Sequence, residues 1–175
     1  MRCSIGVWIC GLSAVLALAA CDQPEWRKIA TAKPGAPGAY QTSGDPVPAR
    51  PTWLLELEGR PLAAAYSRQA ECVGNAEAVT MAYAGSPGGS KIVGWGWAVG
   101  ERVAPAKVIL VDGQAKVVGG GESGLERLDV PNAQPAVTSV NTGWWALTTV
   151  QHGRVEAYGV LPDGETICKL GQLDL

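Results

Sequence analysis

The chain has 175 residues, with 14 Lys and Arg against 16 Asp and Glu and a formal net charge of −2. No basic cluster interrupts that balance, which excludes a nucleic-acid partner, because such a partner needs a basic patch to neutralise phosphates. The length suits one domain plus a tail.

In chain order, the first element is an export signal. Arg2 supplies a positive start, residues 5–20 are uncharged and rich in Leu, Val and Ala, and small residues precede Cys21-Asp22. That is the layout of a secretory signal peptide over residues 1–20. A membrane-spanning signal anchor is the alternative, but it needs about 20 apolar residues with polar flanks, and this run is shorter. Leu18-Ala19-Ala20-Cys21 resembles the lipobox of bacterial lipoproteins, in which the cysteine is acylated and becomes the new N-terminus. The resemblance implies a multiply acylated Cys21, with palmitate-type chains holding the protein on the periplasmic side of a bacterial membrane. Each buried methylene contributes about 0.8 kcal/mol, and more than one chain makes the anchor stable. In enterobacterial lipoproteins an aspartate after that cysteine is associated with retention in the inner membrane, so Asp22 favours that membrane.

Residues 21–52 follow as a lipidated cysteine and a flexible linker. Lys33-Pro34-Gly35-Ala36-Pro37-Gly38 and Asp45-Pro46-Val47-Pro48 remove backbone donors and supply little apolar side chain for a core. Residues 53–71 form a lead-in: Trp53 to Glu58 alternates toward the end like a strand, and Leu62 to Gln69 is alanine-rich enough for two helical turns.

Residues 72–175 read as all-β. Val79 to Tyr83 alternates. In Lys91 to Val99, the residues Val93, Trp95, Trp97 and Val99 share one face, and Ile92, Gly94, Gly96 and Ala98 the other. In Lys107-Val108-Ile109-Leu110-Val111 the four residues after the lysine are continuously apolar, which predicts a central strand buried on both faces. Asp112-Gly113 predicts a hairpin, Lys116-Val117-Val118 the returning strand, and Gly119-Gly120-Gly121 its end. Further strands are expected over 143–150, 154–161 and 166–170, with turns at His152-Gly153 and Pro162-Asp163-Gly164. Short strands at this spacing indicate an immunoglobulin-like β-sandwich. Val93-Gly94-Trp95-Gly96-Trp97, Val108 to Asp112, Arg127 to Val130, Gly143-Trp144 and Cys168-Lys169-Leu170 together resemble a small β-sandwich module that recurs in bacterial envelope proteins. That resemblance covers about residues 72–172 and implies no catalytic residues.

The five cysteines divide along the same boundaries. Cys3 and Cys10 leave with the signal and Cys21 is taken by lipid, so Cys72 and Cys168 remain as a disulfide pair in an exported chain. Their rival reading, a metal site, lacks a Cys-x-x-Cys and has only one histidine to draw on. No metal or cofactor is implied.

Catalysis is not expected. His152 is the single histidine, no Gly-x-Ser-x-Gly elbow presents a nucleophile, and no spacing pairs Glu122, Glu126, Asp129 and Asp163. Arg127 and Asp129, two apart, read either as a polar ligand contact or as an ion pair at a strand end. The chain has no Phe and seven Trp, so tryptophan must fill part of the core. Trp95 and Trp97 are expected to pack inward; turned outward they would form a binding stripe. Of the adjacent Trp144 and Trp145, Trp144 is expected buried and Trp145 outward, a ligand contact with Arg127 and Asp129. The function these features imply is a lipid-anchored, non-catalytic envelope protein whose domain binds or scaffolds another envelope component. The alternatives are a glycan- or peptidoglycan-binding module using tryptophan, and an accessory subunit of an envelope enzyme.

Overall fold

Alternation and turn residues divide the described chain, residues 40–175 of a computed structural model, into nine strands and three short helices. In order these are β1 (Gln41–Ser43), α1 (Thr52–Leu55), α2 (Leu62–Ala65), β2 (Arg68–Gln69), β3 (Cys72–Tyr83), β4 (Gly89–Ala98), β5 (Lys107–Asp112), β6 (Val117–Leu125), α3 (Asp129–Ala133), β7 (Gly143–Thr148), β8 (Arg154–Val160) and β9 (Thr166–Asp174). The signal, the lipobox with Cys21 and the linker through residue 39 lie outside the described residues.

The strands form one sheet in the order β1-β3-β4-β7-β6-β5-β8-β9-β2. From β3 to β9 every neighbour is antiparallel, while β1 lies parallel to β3 and β2 parallel to β9. An even number of reversals separates β3 from β9, so these two run in the same direction. Because β2 leads straight into β3, its ladder with β9 rolls the sheet round on itself. The seam continues past β2. Ala70 N–H donates to the Ile167 carbonyl at 2.9 Å, Cys72 and Cys168 are disulfide-bonded with Cα atoms 5.6 Å apart, and a Cβ on Gly171 would stand 2.6 Å from the Ala76 nitrogen. Gly171 is thus required by backbone approach rather than by a turn. The all-β expectation is met. An immunoglobulin-like sandwich divides its strands between two sheets, and that finer expectation is not carried by this single ladder.

Rolling gives the sheet an interior and an outer face, and three apolar clusters follow. Ile92, Ala98, Val108, Leu110, Trp144, Ala146, Val155, Ala157 and Leu170 fill the interior. Ile109, Val111, Val117, Val160 and Ile167 face outward and are covered by Leu54 and Leu62 of α1 and α2. Trp97 faces outward too and is covered by Val130 of α3 and Val137. β5 therefore sends Val108 and Leu110 one way and Ile109 and Val111 the other, which accounts for its unbroken apolar run.

Four local expectations are corrected. Residues 40–52 are not all linker: Gln41–Ser43 pairs with Met81–Tyr83, and Val47 is buried, its N–H donating to the Pro87 carbonyl. The stretch from Thr52 is helix and turn rather than strand, and its Leu54, with Leu62 of α2, covers the outer face of the sheet. The glycine triplet does not end β6, which runs on to Leu125. A Cβ on Gly120 would stand 2.7 Å from the Val108 carbonyl oxygen and 3.0 Å from Leu54 Cδ1, so glycine there admits the covering helix. The fourth holds in part: Trp97 is buried as expected and Trp95 packs beside it, but in the cluster with Val130 and Val137 rather than in the interior, because the opposite face of β4 carries Gly94, whose missing side chain is replaced by the Trp144 ring.

The turns match their residues with one difference. Gly153 and Gly164 adopt φ of 97° and 74°, as their turns require. In the β5–β6 hairpin the left-handed residue is Ala115, at φ 59°, rather than Gly113. Asp112 sets that turn by accepting from the Gln114 and Lys116 N–H groups at 2.9 and 3.0 Å.

Candidate functional site

The outer face of β7 lies between the two covered regions. Cross-strand register builds it row by row. Trp95, Gly143 and Leu125 face one another across β4, β7 and β6, and Val93, Trp145 and Glu122 form the next row. Trp144 points into the interior with no exposure, and its neighbour Trp145 stands half-buried on the outer face. Lys91 Nζ lies 5.3 Å from the Trp145 ring centroid, a cation–π contact that occupies that ring.

Arg127 crosses above this strip. A Cβ on Gly143 would stand 2.9 Å from Arg127 Cγ, so the absent side chain is the bed in which the arginine lies. Arg127 Nε and Nη2 donate to Asp129 at 2.8 and 2.6 Å, and Nη1 and Nη2 donate to Glu77 at 2.7 and 3.0 Å. Two carboxylates thus saturate most of the guanidinium fork. Hydrogen bonds to Asp129 first and Glu77 second push the Arg127 pKa further up, and Arg127 in turn holds the Asp129 carboxyl below the usual carboxylate range. The arrangement is a clasp. It ties the start of α3 to β3, where the register shifts between Ala76 and Ala78. With the Arg127 N–H donating to the Val140 carbonyl at 2.7 Å, it closes residues 126–142 into a strap over Trp97.

Of the residues singled out in the sequence, Arg127, Asp129 and Trp145 therefore gather on one face, in different states. Arg127 and Asp129 form an ion pair, the structural alternative weighed for them, and the additional partner Glu77 lies 50 positions away with no local pattern to announce it. Trp145 is partly accessible under Lys91. Cys72 and Cys168 form the seam, and Cys21 lies outside the described residues. The other carboxylates considered for chemistry do not converge. Asp163 holds the β8–β9 turn, accepting from Thr166 Oγ1 at 2.6 Å and from the Glu165 and Thr166 N–H groups at 3.0 Å, which lowers its pKa to about 2. His152 is exposed on the turn after β7.

A surface pocket of about 320 Å³ lies beside the disulfide, lined by Gln69, Glu71, Tyr158 and Lys169 among others. Its polar groups are largely paired with one residue: Tyr158 donates to Glu156 at 2.9 Å and Lys169 does so at the same distance. Burial and then the Glu156 hydrogen bond push the Tyr158 hydroxyl up to about 12, so it offers no base near neutrality. Among the described residues no group of His, Cys, Asp and Glu has the arrangement of a metal site, and no helix is long and apolar enough to cross a membrane. No protein-family model, curated protein or solved structure matches the chain.

Proposed function

We propose that this chain is an exported, lipid-anchored envelope protein whose all-β domain binds or scaffolds another envelope component without catalysing a reaction. The observation that carries the reading is the Cys72–Cys168 bond across the seam. Such bonds persist in oxidising compartments and are rare in the reducing cytosol, which agrees with an export signal over residues 1–20. In this reading Cys21 carries the acyl chains, the remaining linker spaces the domain from the membrane, and Asp22 favours the inner membrane. A protein partner is preferred over a glycan. A sugar needs an open aromatic face, whereas Lys91 already lies over Trp145 and the strap covers Trp97. The glycan-binding and enzyme-accessory readings remain the alternatives.

Metabolic labelling with a fatty acid tests the anchor. Wild-type protein is expected to incorporate label and Cys21→Ser to lose it, leaving precursor or soluble protein. Unlabelled wild type removes the anchor and the spacing role of the linker together. Co-sedimentation with purified peptidoglycan tests the glycan alternative, which predicts retention that Trp145→Ala abolishes.

A further inference from the structure

We propose that the Cys72–Cys168 bond is a site of thiol–disulfide exchange with a dithiol, which attacks at Cys72 and opens the seam while the rest of the sheet stays rolled. The inference goes beyond the binding reading above, since it concerns how the domain is closed and not what it holds.

The first observation is how little besides the bond fastens the seam. The hydrogen-bonded order of the sheet starts β1-β3 and ends β9-β2, so β3 and β9 are not neighbours in the ladder. Each is held on its far side: β4 pairs with β3 from Cys72 to Tyr83, and β8 pairs with β9 from Ile167 to Asp174. Leu170 and Gly171 rest on the β3 backbone at Gly74 and Ala76. The other ties are the β2 pairs Arg68↔Thr166 and Gln69↔Ile167, the Ala70 N–H to the Ile167 carbonyl, and the ion pairs of exposed Arg68 with Asp163 and Glu165. Exposed ion pairs add little. Because the flanks are held independently, cutting the bond frees residues 67–72 from β9 without unrolling the strands between them.

The second observation is access. The surface pocket beside the bond is lined by both cysteines together with Gln69, Ala70 and Ile167. Cys72 is partly exposed, whereas Cys168 is 2% exposed, so a thiolate entering there reaches Cys72 first. It bonds to Cys72 Sγ, the bond to Cys168 breaks, and Cys168 leaves as a thiolate that takes up a proton. The flanking strands keep the cysteines side by side, with Cα atoms 5.6 Å apart, so Cys168 can attack again and expel a monothiol. A dithiol escapes that return. Its second thiolate attacks its own sulfur in the mixed disulfide, releases Cys72 as a thiol, and departs as an internal disulfide; two electrons and two protons pass to the protein. Opening parts β2 from β9 and leaves the edge at Thr166 and Ile167 unpaired, a template for another strand.

Treating the purified full chain, without denaturant, with dithiothreitol or with glutathione at equal thiol concentration, then alkylating and mapping the peptides, tests this. Dithiothreitol is expected to reduce the bond within about tenfold of its rate on the chain unfolded in denaturant. Glutathione, quenched early, should leave a mixed disulfide on Cys72 with Cys168 alkylated. In the reduced protein, hydrogen exchange should rise at least about tenfold in residues 67–72 and stay unchanged in β5, β6 and β7. Cys72→Ser with Cys168→Ser should reproduce that pattern. Reduction no faster than global unfolding, a mixed disulfide on Cys168, protection lost throughout the sheet, or protection unchanged in 67–72 each overturns the proposal. The wild-type kinetics decide even where the double serine variant fails to fold. No readout depends on acylation or on a partner, so failure here leaves the anchored, binding reading standing.

Discussion

Residues 52–66 and residues 126–142 both cover the outer face of the rolled sheet, but they hold to it differently. The first cover is docked by apolar burial, with Leu54 and Leu62 against Ile109, Val111 and Val117, and by backbone hydrogen bonds to the β5–β6 hairpin from Gly59 and Leu62. The second lays Val130 and Val137 on Trp97, but its own backbone bonds are mostly internal and its tie across to β3 is ionic. A cover held by burial is insensitive to salt, whereas one fastened by partly exposed charges answers to ionic strength and pH. The same sheet thus carries one permanent layer and one adjustable layer.

The largest effect that sharpens this contrast belongs to the first cover. Leu54→Ala should destabilise the protein by about 2–5 kcal/mol in chemical denaturation, because Leu54 is fully buried. Gly120→Ala should follow at about 1–3 kcal/mol, since its methyl would press on the Val108 carbonyl and Leu54. Arg127→Met should cost less, about 1–2 kcal/mol, and should raise hydrogen exchange in 126–142 while leaving 52–66 protected. Equal deprotection of both segments would show that the two covers are one cooperative unit.

The covers should also loosen at opposite ends of the pH scale. Arg127 depresses the Asp129 pKa, so that contribution is present above the unfolded value near 3.9 and is lost as pH falls through the lower folded value. Burial raises the pKa of Tyr66, the last residue of the first cover, which packs against its apolar cluster. Its contribution is present below the unfolded value near 10 and is lost as pH rises through the folded one. Fluorotryptophan NMR should show the Trp97 resonance shifting first in acid and the Trp53 resonance first in base. The smallest effect is expected at Lys91, where Lys91→Ala removes a cation–π contact of about 0.5–1 kcal/mol and bares Trp145.

Where the sequence was legible, one local rule decided the outcome. The run at 108–111 could be apolar throughout only as a strand covered on both faces, and His152-Gly153 and Pro162-Asp163-Gly164 carried their turns in residues with the right φ. Cys72 and Cys168 were what remained once Cys3, Cys10 and Cys21 were assigned to the expected leader and lipobox, and they are bonded to each other. Where it was not legible, contacts between distant residues overrode local pattern. Three glycines read as a strand end until Leu54, more than sixty positions earlier in the chain, needs the space. Trp95 and Trp97 read as pointing into one interior until Trp144 takes the glycine side of their strand, which leaves Trp97 buried on the other side. Glu77 carries no mark of its role, because its partner Arg127 lies on another element. The bulge at Gly124, where the β6–β7 register shifts so that Leu125 faces Gly143, is equally silent: one glycine in a glycine-rich strand does not say which neighbour it will turn over.

The seam has a consequence for the order in which the molecule can be made. Cys72 waits for Cys168 across a separation of 96 residues, and Arg68 and Gln69 wait for Thr166 and Ile167. A chain emerging N-terminus first has presented every strand through β8 while its first closing strand still lacks a neighbour. Closure is therefore a late event governed by the longest-range contacts, the slow kind in folding kinetics. Throughout that interval Cys72 is a thiol without its native mate, open to capture by any other oxidised sulfur it meets. A chain halted before Thr166 would remain an unrolled sheet with its interior face bare.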